Sequence, residues 1–206
     1  MPMQALSSTL QPTCDSIIRS AILKALREEL EREHCEHENF RIIEEFSVAH
    51  GAARVDVAVV NGFIHGYELK SDVDTLNRLP NQMREFSAVM DEMTLVVGKH
   101  HLLEALHQVP EWWGITVAKI SPEDGRVILL RLRESKQNPN LQLQKVAALL
   151  WREEALGILE EFGLARGFRS KTRGMIYEQL AALVPAEALK VRIRSVLCTR
   201  SNQRLA

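Results

Sequence analysis

No stretch of the chain approaches the roughly 18 to 20 uninterrupted apolar residues that a membrane span needs. The N-terminus, MPMQALSSTLQPTCD, lacks the charged and apolar blocks of a signal peptide, so a cytoplasmic protein with no membrane partner is expected. Cysteine is scarce: Cys14, Cys35 and Cys198 are odd in number, far apart and without a C-x-x-C pair. That argues against a disulfide framework and against a cysteine zinc site, and reads as inert thiols. No internal repeat is convincing, and net charge is nearly absent at −1. What is present, 46% hydrophobic and 26% charged residues in a chain of 206, suits a globular protein of one domain, or one domain with a smaller appendage.

The small net charge hides an asymmetry. Residues 1 to 130 hold 12 Lys+Arg against 20 Asp+Glu, a net of −8, whereas residues 131 to 206 hold 14 against 7, a net of +7. A basic C-terminal part on an acidic body is the footprint expected for a nucleic acid or another polyanion, because clustered cations attract phosphate and release its counterions. A solvated helical surface is the plainer reading.

Periodicity predicts a first helix over CDSIIRSAILKALREELEREHCEH, with Asp15 or Ser16 as N-cap and Ile18, Ala21, Ile22, Leu26 and Leu30 on one face. Six short runs rich in Val and Ile follow, FRIIEEFSVA, ARVDVAVV, FIHGYELK, MTLVVG, WGITVAKI and RVILLRL, each ended by turn residues. Between the third and fourth run lies a helical segment striped by Leu76, Leu79, Met83, Phe86 and Met90, with Pro80 either at a helix start or at a kink. A short helix is expected near HHLLEALHQV. The polar stretch ESKQNPN reads as a linker, dividing residues 1–134 from a basic helical region, 135–206.

The hairpin RVDVAVVNGFIHGYELKSD, residues 54 to 72, carries three charges that ordinary core does not need: Asp56, Glu68 and Lys70. A two-residue turn at Asn61-Gly62 would set Asp56 opposite Tyr67. A three-residue turn, or a bulge at Gly66, shifts the register by one and brings Asp56 and Glu68 to a common face, so one of these irregularities is predicted. Two converging carboxylates beside an ammonium raise each other's pKa unless a counter-ion intervenes, and a hard divalent cation, Mg²⁺ or Mn²⁺, suits them.

Asp56, the hairpin, Glu-Leu-Lys at 68 to 70, and flanking helices, the second bearing Gln82, resemble the PD-(D/E)xK nuclease superfamily in a small bacterial or phage-type form. The likeness covers roughly residues 15 to 120, with Val55 where the motif has proline. QMREF is similar to a Q-x-x-x-Y element with Phe86 in place of tyrosine. The resemblance implies an α/β fold with a restriction-endonuclease-like αβββαβ core, a mixed central sheet and a helical C-terminal appendage. It implies Asp56 and Glu68 as metal ligands, Leu69 lending its carbonyl, Lys70 as the catalytic cation, and Gln82 beside the metal. The function it implies is metal-dependent hydrolysis of phosphodiester bonds, with DNA the expected substrate. The alternative is a non-catalytic nucleic-acid-binding or regulatory protein on the same fold.

Glu45, rather than Glu44, is the favoured third carboxylate, with Glu28 and Glu31 as rivals. Asp72 and Asp74 read as further acidic contacts or as helix caps. His34 and His37 read as surface residues rather than zinc ligands. Arg78, Lys99, His100 and His101 are candidates for phosphate contact. In the C-terminal region, ILEEFGLARGFRSKTRGMIYEQL loosely resembles SAP-type helix, loop, helix modules, which implies DNA contact through Lys171 and Arg173. Equally weighted is a helical bundle built on Leu149, Leu150, Trp151, Leu156 and Leu159, packing on the core or forming a homodimer.

Overall fold

Alternation of β-branched residues produces six strands, and they assemble in chain order into one sheet. The structure, a computed structural model, describes residues 11–33 and 40–200, so His34, Cys35 and His37 lie outside the described residues. The order is α1 (Asp15–Glu33), β1 (Arg41–Val48), β2 (Ala53–Val60), β3 (Ile64–Lys70), α2 (Leu79–Ser87), β4 (Glu92–Gly98), α3 (Leu102–Gln108), β5 (Gly114–Ile120) and β6 (Val127–Arg133). Four helices follow, α4 (Leu143–Ala147), α5 (Arg152–Glu161), α6 (Arg173–Leu183) and α7 (Ala186–Thr199). Strands β1, β2 and β3 run antiparallel, β3, β4 and β5 parallel, and β6 antiparallel to β5. The fold is therefore mixed α/β around a six-stranded mixed sheet. No described helix is long and apolar enough to cross a membrane.

Among the described residues, one face of the sheet is covered by α1: Ile18, Ile22, Leu26 and Leu30 pack on Val57, Val59, Leu69, Val96 and Ala118. The other carries the larger core, in which Leu79 and Phe86 of α2 join Val55, Ala58, Val60, Leu95 and Val97. Pro80 sits in the first turn of α2, where its missing N–H costs nothing. Helices α4 to α7 pack on the same side, with Val146, Leu150, Ile158, Ile176, Leu180, Ile193 and Leu197 in that same core. The division at 134/135 thus follows a change of element type and charge, while the apolar core runs across it.

Two features depart from the sequence pattern. Val55 belongs to the larger core but Val57 and Val59 to the α1 face, so the strand changes faces at Asp56. The neighbouring strand does likewise between Ile43 and Phe46, around Glu45, whose φ of 52° is in the left-handed region. The second departure is the break between α4 and α5 at Ala148–Trp151, inside the region 135–206 expected to be helical. The carbonyls released there are taken by side chains from distant elements: Tyr177 Oη donates to Leu150 O at 2.8 Å and Arg200 to Leu149 O at 2.9 Å.

Candidate functional site

The β2–β3 hairpin closes through a three-residue connection, with Val60 paired to Ile64 and Gly62 at φ 104°. Val57 pairs Tyr67, which sets Asp56 level with Glu68. There the two strands stop pairing. The amide of Leu69 donates to Asp56 Oδ2 at 2.8 Å, so a side chain replaces the backbone ladder. Arg19 of α1 then fastens the divergent point, donating to the Asp56 carbonyl at 3.0 Å and to Oδ1 at 2.9 Å. The same guanidinium reaches both oxygens of Asp15 at 3.1 and 3.3 Å, and Glu45 Oε1 at 3.2 Å.

Glu68 and Lys70 follow Asp56 on the face toward α2. Glu68 is 1% exposed; its Oε1 accepts from Lys70 Nζ and, at 2.5 Å, from Gln82 Nε2. Its Oε2 is buried without a partner. Burial, and secondarily the charge of Asp56, push the Glu68 carboxyl up to about 7, against the pull of Lys70 and Gln82. The cluster can hold a proton near neutral pH, and it offers one unspent carboxylate oxygen. Asp56 has none to spare.

The structure thus brings together Asp56, Glu68, Lys70 and Gln82, with Glu45 joined through Arg19 and Leu69 through its amide. It does not gather the basic candidates there. Among the described residues, the side chains of Arg78, Lys99, Lys171 and Arg173 form no ion pair with this cluster; Arg78 precedes α2, Lys99 follows β4, and Lys171 and Arg173 lie at the start of α6. Asp72 and Asp74 are structural. Asp72 accepts from the Thr13 amide at 2.8 Å and from the His100 amide at 2.9 Å, and a Cβ on Gly98 would lie 2.5 Å from its Oδ1. Asp74 accepts from the Ser71 amide and hydroxyl.

Arg19 and Asp15 carry no sequence signal of this role. A basic residue on a helix reads as surface, and only the packing of α1 over the splayed strands turns it inward. The basic side chains after residue 130 are likewise divided by the fold. Arg194 pairs with Asp91, Arg192 with Glu161, Arg200 with Glu154 and Lys145 with Glu85. Arg166, Lys171 and Arg173 have no ion pair among the described residues and are exposed along the α5–α6 connection, beside Arg169. Arg152 braces that connection from α5 by donating to the carbonyls of Arg169 and Lys171.

The sequence model of a family described as Bacteriophage P4 protein cII matches residues 12–205. A curated relative, Protein cII of Enterobacteria phage P4, is 25% identical over 123 residues, which cover 60% of this chain and 46% of that protein. The chain thus matches about half the length of that relative. No solved structure matches. These matches overturn the nuclease resemblance, because the family that matches extends over the whole stretch compared with PD-(D/E)xK enzymes and is the phage P4 protein cII family instead. The reading as a metal-dependent hydrolase is corrected with it. The physical counterpart lies at Asp56, where Arg19 and the Leu69 amide engage the oxygens that a catalytic metal would require. A short pattern of an acid followed by E-x-K on a hairpin is compatible with structural bonding of this kind.

Proposed function

Because the chain belongs to the bacteriophage P4 protein cII family, we propose that it is a non-catalytic regulatory protein that binds nucleic acid, with DNA as the partner, on a restriction-endonuclease-like αβββαβ scaffold. The observation that carries the proposal is the α5–α6 connection. Arg166, Arg169, Lys171 and Arg173 project there around the start of α6, where amide N–H groups add to the positive field. Most of the other basic residues of the C-terminal region are spent on ion pairs, so the charge asymmetry of the sequence condenses onto this one loop.

The Asp56–Glu68 cluster serves as a joint between α1, the splayed strands and α2 in this reading. A divalent cation, Mg²⁺ or Mn²⁺, is proposed there only as a charge-balancing ligand. Glu68 Oε2 fits it, whereas Asp56 must first exchange Arg19.

Fluorescence anisotropy of a labelled duplex DNA, titrated with the full chain at several salt concentrations, tests the binding. Replacing Arg166, Lys171 and Arg173 together by Ala should weaken binding and flatten the slope of log K against log salt by about 0.9 for each phosphate no longer neutralised. An unchanged slope would overturn the assignment to this loop. Cleavage of the probe with Mg²⁺ or Mn²⁺ would overturn the non-catalytic reading.

A further inference from the structure

Ala49 and His50, in the connection between β1 and β2, both lie in the left-handed region, at φ 50° and 56°. Neither is glycine, and a tight antiparallel turn with two such residues in succession ordinarily carries Asn-Gly or Asp-Gly. Val48 pairs with Ala53, and the Ala52 amide closes on the Ala49 carbonyl at 3.2 Å. A less strained sequence would close the same turn, so the choice of His50 needs another reason, and the position of its ring supplies one. The imidazole stacks on Tyr177 of α6, with centroids 5.7 Å apart and planes 22° from parallel. Tyr177 is buried and anchored through its hydroxyl to the Leu150 carbonyl, whereas His50 is exposed. Among the described residues, neither ring nitrogen of His50 has a hydrogen-bond partner. The turn thus holds an unspent imidazole at the surface, against a fixed ring.

Tyr177 follows Arg173 by one helical turn, and helical side chains lean toward the N-terminus of their helix, so the stacked pair sits over the first turn of α6. Electrostatics agrees. Burial pushes the Tyr177 hydroxyl up, and of the charges that act on it that of Arg173 has the largest influence. At Gly174, on the same side of the helix, an added Cβ would meet nothing within 4 Å, so the surface beside Arg173 is open. We infer that the β1–β2 turn is a second nucleic-acid contact, in which His50 donates an imidazole N–H to a phosphate oxygen beside the phosphate that Arg173 engages. This rests on the reading of the α5–α6 connection as the DNA-binding surface, and extends that surface from one loop to two segments distant in the chain. The chemistry suits the task. Tyr177 holds one face of the imidazole and leaves its edge, which carries both nitrogens, to approach the backbone. A phosphate there favours the protonated ring, and the bond becomes charge-assisted on both sides.

Fluorescence anisotropy with labelled duplex DNA tests it on single variants of the full chain, beside the triple replacement of Arg166, Lys171 and Arg173 by Ala. His50→Gly tolerates the left-handed backbone and removes the ring, and should raise Kd at least about fivefold. His50→Arg, which restores a phosphate donor, should bind at least as tightly as wild type. Ala49→Gly relieves the neighbouring strain, keeps the imidazole and should leave Kd unchanged. Thermal unfolding of each variant separates contact from fold. If His50→Gly lowers Tm but keeps the wild-type Kd, the ring only covers Tyr177 and the inference fails. It fails equally if Ala49→Gly weakens binding as much as His50→Gly does, or if His50→Arg binds no better than His50→Gly. A triple variant that loses DNA while His50→Gly retains full affinity overturns this inference alone, and a wild type that binds no duplex overturns both it and the reading beneath it.

Discussion

Replacing Arg19 by Met keeps most of the aliphatic stem and removes every bond that the guanidinium makes at the strand divergence, leaving only the Leu69 amide on Asp56 Oδ2. The size of the loss follows from exposure. Asp15 and Glu45 side chains are 48% and 53% exposed, so their ion pairs are screened and contribute at most about 1 kcal/mol together. Asp56 is 21% exposed, and it loses a charge-assisted bond to Oδ1 as well as a bond to its carbonyl. Those two together are worth about 2 to 3 kcal/mol. The expected loss is about 3 kcal/mol, or roughly 6 to 12 °C in Tm for a chain of this size. Urea unfolding at pH 7, in low and high salt, measures it, and most of the loss should persist in high salt because the Asp56 bonds are shielded. A loss below about 1 kcal/mol would refute the role given to Arg19. The same variant examines the cation. With Asp56 Oδ1 released, millimolar Mg²⁺ should raise the Tm of Arg19→Met more than that of wild type, following mass action, by about 2.7 kcal/mol at a hundredfold excess over Kd. Equal responses in the two proteins would sink the idea that guanidinium and cation compete for one oxygen.

His65, held neutral inside the sheet face with its pKa pushed down to about 3 by burial and by Arg131, should make the fold acid-sensitive. The unfolded value is near 6.5, so stability is full above that pH and drains as pH falls toward 3, by about 2 kcal/mol between pH 7 and 5. His65→Gln should show a correspondingly flatter dependence of urea midpoint on pH, and an equal dependence in both proteins would exclude His65 as the source. Asp91→Ala should cost about 3 to 5 kcal/mol by thermal unfolding, since it strips the buried Ile64 amide and the Arg194 guanidinium of partners at 2.7 Å each; a loss under about 1 kcal/mol would contradict this. Ending the chain after Glu134 should yield insoluble protein, because Phe46, Val48, Val55, Ala58 and Val60 lose the helices that share their core. A soluble core that unfolds cooperatively would show instead that the boundary separates two independent units.

The hairpin illustrates how far local chemistry reaches. Asn61-Gly62 marks a turn, and the demand that Asp56 and Glu68 meet selects a three-residue connection, which is the one found. The helix over LPNQMREFS follows from its apolar stripe, and α2 does bring Gln82 to Glu68. What the same residues do there is not legible in the sequence, because a carboxylate pair looks alike whether it faces a metal or a guanidinium. That distinction depends on Arg19, 37 residues away from Asp56.

Sequence alone determined the elements that rest on short-range periodicity. Strand alternation has a period of two and helical stripes one of 3.6, and both are written within a few neighbouring residues, as ARVDVAVV and β2 show by coinciding over Ala53–Val60. The charge asymmetry was equally visible, being a count. Tertiary structure decided which charges remain available: it consumed Arg192, Arg194 and Arg200 in ion pairs and left Arg166, Lys171 and Arg173 outside them. It also decided that the strands around Glu45 and Asp56 change faces, and that the run after residue 141 breaks where Tyr177 and Arg200 supply partners to its carbonyls. Each of these outcomes depends on bonds and packing between residues distant in the chain, whose energies exceed local preference and leave no periodic trace in the sequence.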